Sequence, residues 1–261
     1  MATIINDDVL TALGKMKSGS YNLIMSSPPY NIGKSYEKRV SMDDYAAWME
    51  QVATELIRVL RDDGAICWQV GNYIENGEVF PLDHLFYKIF CQQFGLKLRK
   101  RIIWSFGHGL HCTRRFSGRH ETILYMTKSD QYTYCCDPLA PADIREVVER
   151  DWDNEIWEIV NVKSNHPEKG ASHPCQFPVE MVERCLLMLT KPGDAVLDPF
   201  CGVGSTLIAC ERWNRIGTGI DKEKSHCIEA ADRIKKLHAG TLKTRPMTKK
   251  IHEPKPAKNI A

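Results

Sequence analysis

Ala195-Val-Leu197, a short apolar strand, runs through Asp198, Pro199 and Phe200 into Gly202 and Gly204, and a helical run follows from Ser205 to Trp213. No other stretch limits the fold as much. Strand, glycine-rich turn and helix in this order open a Rossmann-like unit. Glycine accepts positive φ and lets a ligand come close to the backbone. The first turn of the helix favours a negative ligand group. One helix further on, Arg215-Ile-Gly-Thr-Gly-Ile220 reads as a second strand that ends at Asp221. A carboxylate there can accept hydrogen bonds from both hydroxyls of a ribose.

A second motif is rarer. Tyr21-Asn-Leu-Ile-Met25 is a buried strand that runs straight into Ser26-Ser27-Pro28-Pro29-Tyr30. Two prolines fix φ and supply no N–H, so the turn is stiff and its carbonyls are left to accept. Acceptors beside an aromatic ring suit an exocyclic amino group on a flat base. As a structural alternative, the segment is a plain Pro-Pro turn with Tyr30 as packing.

Together the motifs resemble those of the amino-group DNA methyltransferases, which carry (Asp/Asn/Ser)-Pro-Pro-(Tyr/Phe) and Asp-Pro-Phe-x-Gly-x-Gly. The catalytic motif precedes the cofactor motif, as in their beta class of type II modification methylases, and the resemblance covers most of residues 1–238. It implies an α/β fold: a circularly permuted Rossmann-like S-adenosylmethionine-dependent methyltransferase sheet with a small inserted recognition segment. It implies S-adenosyl-L-methionine as cofactor, held by Asp8, His173, Pro174, Asp198, Phe200, Gly202, Gly204, Ser205, Thr206 and Asp221. Catalysis falls to Ser27, Pro28, Pro29 and Tyr30, with the base flipped out of the duplex and stacked on Tyr30. The partner implied is double-stranded DNA, with a homodimer and a cognate restriction endonuclease as further implications. A cytoplasmic, prokaryotic or phage-encoded protein is expected. One departure matters, because the best-known adenine enzymes carry Asp where this chain has Ser27. Ser resembles the N4-cytosine enzymes; a hydroxyl accepts one amino hydrogen and can still donate to cytosine N3. Tyr30-Asn31-Ile-Gly-Lys34 resembles the run after the motif in adenine enzymes, so N6 of adenine stands as the alternative. RNA and protein-glutamine methyltransferases share related motifs, but there the catalytic motif follows the cofactor loop. A non-catalytic binding protein on the same scaffold is opposed by the intact Asp198, Gly202, Gly204 and Asp221.

The 261 residues and 43% hydrophobic content suit one large domain. No apolar run approaches a membrane span, and the first residues do not form a signal peptide. Ten cysteines without a Cys-x-x-Cys pair read as reduced, mostly buried thiols. His108, His111, Cys112, Cys135 and Cys136 fit no common zinc spacing, so no metal is expected. Pro174-Cys175-Gln176 matches the nucleophile tripeptide of carbon-5 cytosine enzymes, but it precedes the cofactor motif and reads as incidental. Net charge is only +2, and residues 239–261 hold +5 of it, leaving about −3 elsewhere. Four parts are expected: a catalytic half at 1–129, the recognition insert at 130–172, a cofactor half at 173–238, and a basic disordered tail at 239–261. Trp152 and Trp157 either pack the insert or serve recognition. Lys34, Arg99, Arg101, Arg114, Arg115 and Arg119 are the expected phosphate contacts.

Overall fold

The computed structural model describes residues 2–33, 37–106, 112–114, 116–135, 154–163, 166–169 and 175–247. In chain order the elements are β1 (Thr3–Asn6), α1 (Val9–Gly14), β2 (Tyr21–Ser26), α2 (Met42–Val59), β3 (Leu60–Val70), β4 (Asn72–Glu75), β5 (Glu78–Pro81) and α3 (Leu82–Tyr87). Then follow β6 (Lys97–Ser105), β7 (His120–Thr127), β8 (Ile156–Glu158), α4 (Val179–Leu189), β9 (Ala195–Asp198), α5 (Ser205–Arg212), β10 (Ile216–Asp221) and α6 (Lys224–His238). The main sheet runs β1-β10-β9-β2-β3-β7-β6-β8. The N-terminal β1 pairs in parallel with β10, from Thr3↔Thr218 to Asn6↔Asp221. That pairing is the permuted sheet: the first strand of the chain completes the half built by its last strands. Within this main sheet, among the described strands, only β7 runs against its neighbours.

Alternation along the strands builds a core on each face. Leu23 and Met25 of β2, with Ala65 and Cys67 of β3, face α4 and α5. Ile24, Ile66, Trp68 and Val70 face α1, α2 and α3. Ser41 caps α2 by accepting from the Asp44 N–H at 3.1 Å, and Asp43 and Asp44 occupy its first turn, favourable beside the helix's positive end.

Several boundaries differ from expectation. The hairpin β4–β5 was not foreseen, although Asn76-Gly77, both at positive φ, is the favoured two-residue turn. The helix expected from Pro81 to Gly95 changes to π-helical winding over Lys88–Gln93. The insert's described ends belong to the domain: β8 adds to the sheet beside β6, and Trp157 and Ile159 enter the core. Packing is therefore the role of Trp157; Trp152 lies outside the described residues. The tail is also corrected. After α6 the chain folds back, burying Met247 in the core and Arg245 beside it. The Arg245 N–H donates to Glu168 at 2.9 Å, and the other Glu168 oxygen accepts from the Val179 N–H at the start of α4. Residues 248–261 lie outside the described residues. No described helix is long and apolar enough to cross a membrane.

Candidate active site

Parallel strands deliver their carboxyl ends to one edge of a sheet, where open α/β folds bind ligands. Here a cleft of about 640 Å³ opens at that edge. Its walls come from the ends of β1, β2, β3, β9 and β10, from the last residues of β6, and from the start of the reversed β7.

One end of the cleft is framed by Asp7, Asp8 and Val9, by Phe200 to Val203, and by Ile220 to Glu223. Asp8 is the N-cap of α1, accepting from the Leu10 N–H at 2.9 Å. Asp221 has its carboxylate fastened on both sides. Oδ2 accepts from the Gly202 N–H at 2.9 Å, and Oδ1 accepts from the Glu223 N–H at 2.8 Å with His226 Nδ1 at 3.2 Å. The bond to Asp221 raises the His226 pKa above the ordinary imidazole value. Gly202 has φ 48°, which brings its N–H against the carboxylate without a side chain in the way. A ribose fits this end: one fixed acid, glycine backbone, apolar walls from Val9 and Phe200, and Ser205 opening α5.

The expected cofactor residues divide in two. Asp8, Phe200, Gly202, Ser205 and Asp221 line the cleft; Asp198, Gly204 and Thr206 do not. Asp198 is fully buried behind the turn, accepting from Ser26 Oγ at 2.6 Å, from the Phe200 N–H at 3.1 Å and from the Thr206 hydroxyl. It joins the end of β2 to the glycine turn. Gly204, at φ 78°, is the N-cap of α5, and a Cβ there would meet the Ala230 Cβ at 3.0 Å. The glycine serves helix packing. His173 and Pro174 lie outside the described residues; the adjoining Cys175, Gln176 and Phe177 line the cleft.

At the other end stand Ser27, Pro28, Pro29 and Tyr30. The Tyr45 hydroxyl donates to the Pro29 carbonyl at 2.6 Å, while no hydrogen bond to the Pro28 carbonyl is found among the described residues. The Tyr30 hydroxyl lies 3.1 Å from Ser27 Oγ, 3.1 Å from Gln69 Oε1 and 3.3 Å from Glu121 Oε2. Burial, then the nearby Glu121 charge, pushes the Tyr30 phenol well above its ordinary pKa, so it keeps its proton. Burial also raises the Glu121 carboxyl.

Gln69, Asn72, Trp104, Glu121, Asn161 and Lys163 were missed by the sequence reading. A signal existed for Gln69, a lone amide in the apolar run Ile66-Cys67-Trp68-Gln69-Val70, where a buried polar group needs partners. Cys175 stands exposed in the cleft wall, so its position alone does not remove it from the chemistry.

The basic set is corrected at Arg99. Two reversals make β6 parallel to β2, so the cleft lies at the Ser105 end and Arg99 near the opposite end. Its guanidinium pairs with Asp130 at 2.7 Å and covers the Tyr132 ring at 4.6 Å. Arg101 ion-pairs with Asp83 and does not line the cleft. Arg114 and Arg119 are exposed on the β6–β7 connection, which leaves the sheet at the cleft edge. Lys34 and Arg115 lie outside the described residues. Among the described residues no three His, Cys, Asp or Glu side chains are grouped to hold a metal ion.

The fold and paired motifs define a methyltransferase of the open α/β class, and comparison with known proteins narrows it. The family model described as DNA methylase, of the N6/N4 kind, matches residues 21–232. The chain belongs to this family: it is an S-adenosylmethionine-dependent DNA methyltransferase of the amino-group type, cytosine-N4 or adenine-N6. It is 36% identical over 239 residues to the type II methyltransferase M.BglII of Bacillus subtilis, across 85% of this chain and 66% of that protein. It therefore spans just under two thirds of that relative's length. With M.HpaI of Haemophilus parainfluenzae it shares 31% identity, across 88% of this chain and 73% of the other. The solved structure of TTHA0409 from Thermus thermophilus superposes with a TM-score of 0.70 at 26% identity, covering 89% of this chain and 94% of that one.

Proposed function

We propose that the chain methylates the exocyclic amino nitrogen of a base turned out of double-stranded DNA, and that the base is cytosine, methylated at N4. The observation that carries the reading is one continuous cleft with the Ser27–Tyr30 turn at one end and the Asp221–Gly202 pair at the other. S-adenosylmethionine, when bound, supplies a methyl group activated on a sulfonium. Asp221 would hold its ribose, and Asp8, Val9 and Phe200 would border its base. Ser27 Oγ and the Pro28 carbonyl accept the two amino hydrogens, which turns the nitrogen lone pair along the cleft. Both acceptors are dipoles aimed at a nitrogen that becomes positive, and Pro28 and Pro29 hold them there before reaction. Tyr30 offers its ring to the extruded base. Arg114 and Arg119 extend from the cleft edge toward phosphate.

Ser-Pro-Pro-Tyr supports cytosine by its resemblance to the N4 enzymes. The run Tyr30-Asn31-Ile-Gly-Lys34 supports N6 of adenine as a second reading. Incubation with DNA, RNA and protein acceptors and labelled S-adenosylmethionine, followed by nucleoside mass spectrometry, is expected to give N4-methylcytosine in DNA. A product at N6-methyladenine alone would replace the base and keep the site. An amino nitrogen needs no thiolate adduct. Cys175→Ser is therefore expected to retain transfer. 5-Methylcytosine, with loss of activity in that variant, would overturn the amino-group mechanism.

A further inference from the structure

Ser27 must present lone pairs, not its proton, to an amino group, and a serine hydroxyl rotates freely unless something fixes it. Behind it a hydrogen-bonded chain runs through Tyr30 of the same turn to Gln69 and Glu121 on two other strands. Glu121 Oε2, from β7, takes a hydrogen bond from the Gln69 side-chain NH2 of β3. That bond turns the opposite end of the amide, Gln69 Oε1, toward the Tyr30 hydroxyl at 3.1 Å. Tyr30 thus has two acceptors on that side, Gln69 Oε1 and Glu121 Oε2, and one proton. Its proton goes to them, and its oxygen is left to accept from Ser27 Oγ at 3.1 Å. We infer that Glu121 is a positioning residue for Ser27, acting through Gln69 and the Tyr30 hydroxyl to hold the serine proton inward and its lone pairs toward the substrate amino group. A carboxylate thereby stands two hydrogen bonds behind Ser27, through the Tyr30 hydroxyl. The earlier expectation that Ser27 also donates to cytosine N3 gives way, because its one proton is held by Tyr30. The inference rests on the reading of Ser27 as an amino-group acceptor.

The test is a mutant cycle, since residues that act as one unit are non-additive. Ser27→Ala is expected to lower kcat on DNA roughly 100-fold, the scale of losing one preorganised hydrogen-bonding group in an active site. Glu121→Gln keeps the shape and is expected to lower kcat about tenfold, with S-adenosylmethionine affinity and the KM for DNA within about twofold. The double variant should be no slower than Ser27→Ala alone. Tyr30→Phe, which cuts the link from the other side, should also add nothing to Ser27→Ala. An unchanged kcat in Glu121→Gln, or losses that multiply with Ser27→Ala, would overturn the positioning role while leaving the site intact. A Ser27→Ala enzyme that binds cofactor and still turns over normally would overturn the reading of Ser27 itself, and this inference with it.

Discussion

A chain ended after Lys243 is expected to melt on the order of 10 °C below one ended after Met247. Both keep the cap of α6, where Gly240 at positive φ lets the Leu242 N–H reach the Lys236 carbonyl at 3.1 Å. The shorter chain loses Met247, 8% exposed within the core cluster of α4 and α5. Truncating a buried methionine costs about 2–5 kcal/mol. It also loses Arg245, whose guanidinium stands 3.7 Å from Glu180 and whose N–H serves Glu168. Removing one partner of a buried pair costs about 3–5 kcal/mol. That figure is discounted here: 3.7 Å is a long contact, and Arg184 still faces Glu180 at 3.2 Å. A net loss of about 4 kcal/mol remains, large beside the 5–15 kcal/mol of a typical domain. Thermal melts of the two truncations, with Arg245→Ala and Met247→Ala in the full chain, measure it. Equal melting temperatures would return 244–247 to the status of a solvated tail.

That tail shows where the sequence is readable and where it is not. The two turns were legible because their signals are local. Pro28-Pro29 and Gly202-x-Gly204 restrict backbone within a few residues, and β2, β9 and β10 appear at the expected positions within a residue. The docked tail has no periodicity to betray it; one methionine and one arginine find partners far away in sequence. The same limit hid Glu121 and Gln69, which meet across a separation of 52 residues because β7 is reversed and brings its first residues to the cleft. A different failure affected Asp198 and Gly204. Their places in the motif were legible, but motif spacing does not say which way a side chain points. Asp198 faces inward to Ser26, and Gly204 makes room for Ala230. Arg99 and Arg101 likewise looked free as letters in a basic run, whereas the fold supplies Asp130 and Asp83 as partners.

Asp198 carries the second large effect. Burial, the first cause, raises its carboxyl from 3.8 to about 6, against the lowering by Ser26, Thr206 and the Phe200 N–H. An acid raised in the fold gives stability that is complete below its unfolded pKa and lost as pH climbs through the folded one. Roughly two units amount to about 3 kcal/mol as an order of magnitude. Glu180, raised by burial to about 7, has the same sign. The lowered acids Asp7, Asp63 and Asp130 act the opposite way, and their loss falls below pH ~4. The melting temperature is therefore expected to be highest near pH 4 and to decline until the pH passes the folded values of Asp198 and Glu180, about 6 and about 7. Asp198→Asn removes the titration and retains Oδ1 for Ser26 and the Phe200 N–H, while the Thr206 hydroxyl can turn to accept from the amide. Its profile should be flatter, with stability at pH 8 at or above that of the unaltered chain. Asp198→Ala should behave otherwise at pH 5. The Phe200 N–H and two hydroxyls lose their acceptor, at about 1–3 kcal/mol for each group left buried and unsatisfied. The end of β2 then parts from the glycine turn, so S-adenosylmethionine affinity should fall together with stability. Melts from pH 4 to 8 and calorimetric titration at pH 5 separate the variants. An Asp198→Asn profile as steep as that of the unaltered chain would assign the pH dependence to another group, and an Asp198→Ala chain with full cofactor affinity would break the link between this buried acid and the cleft.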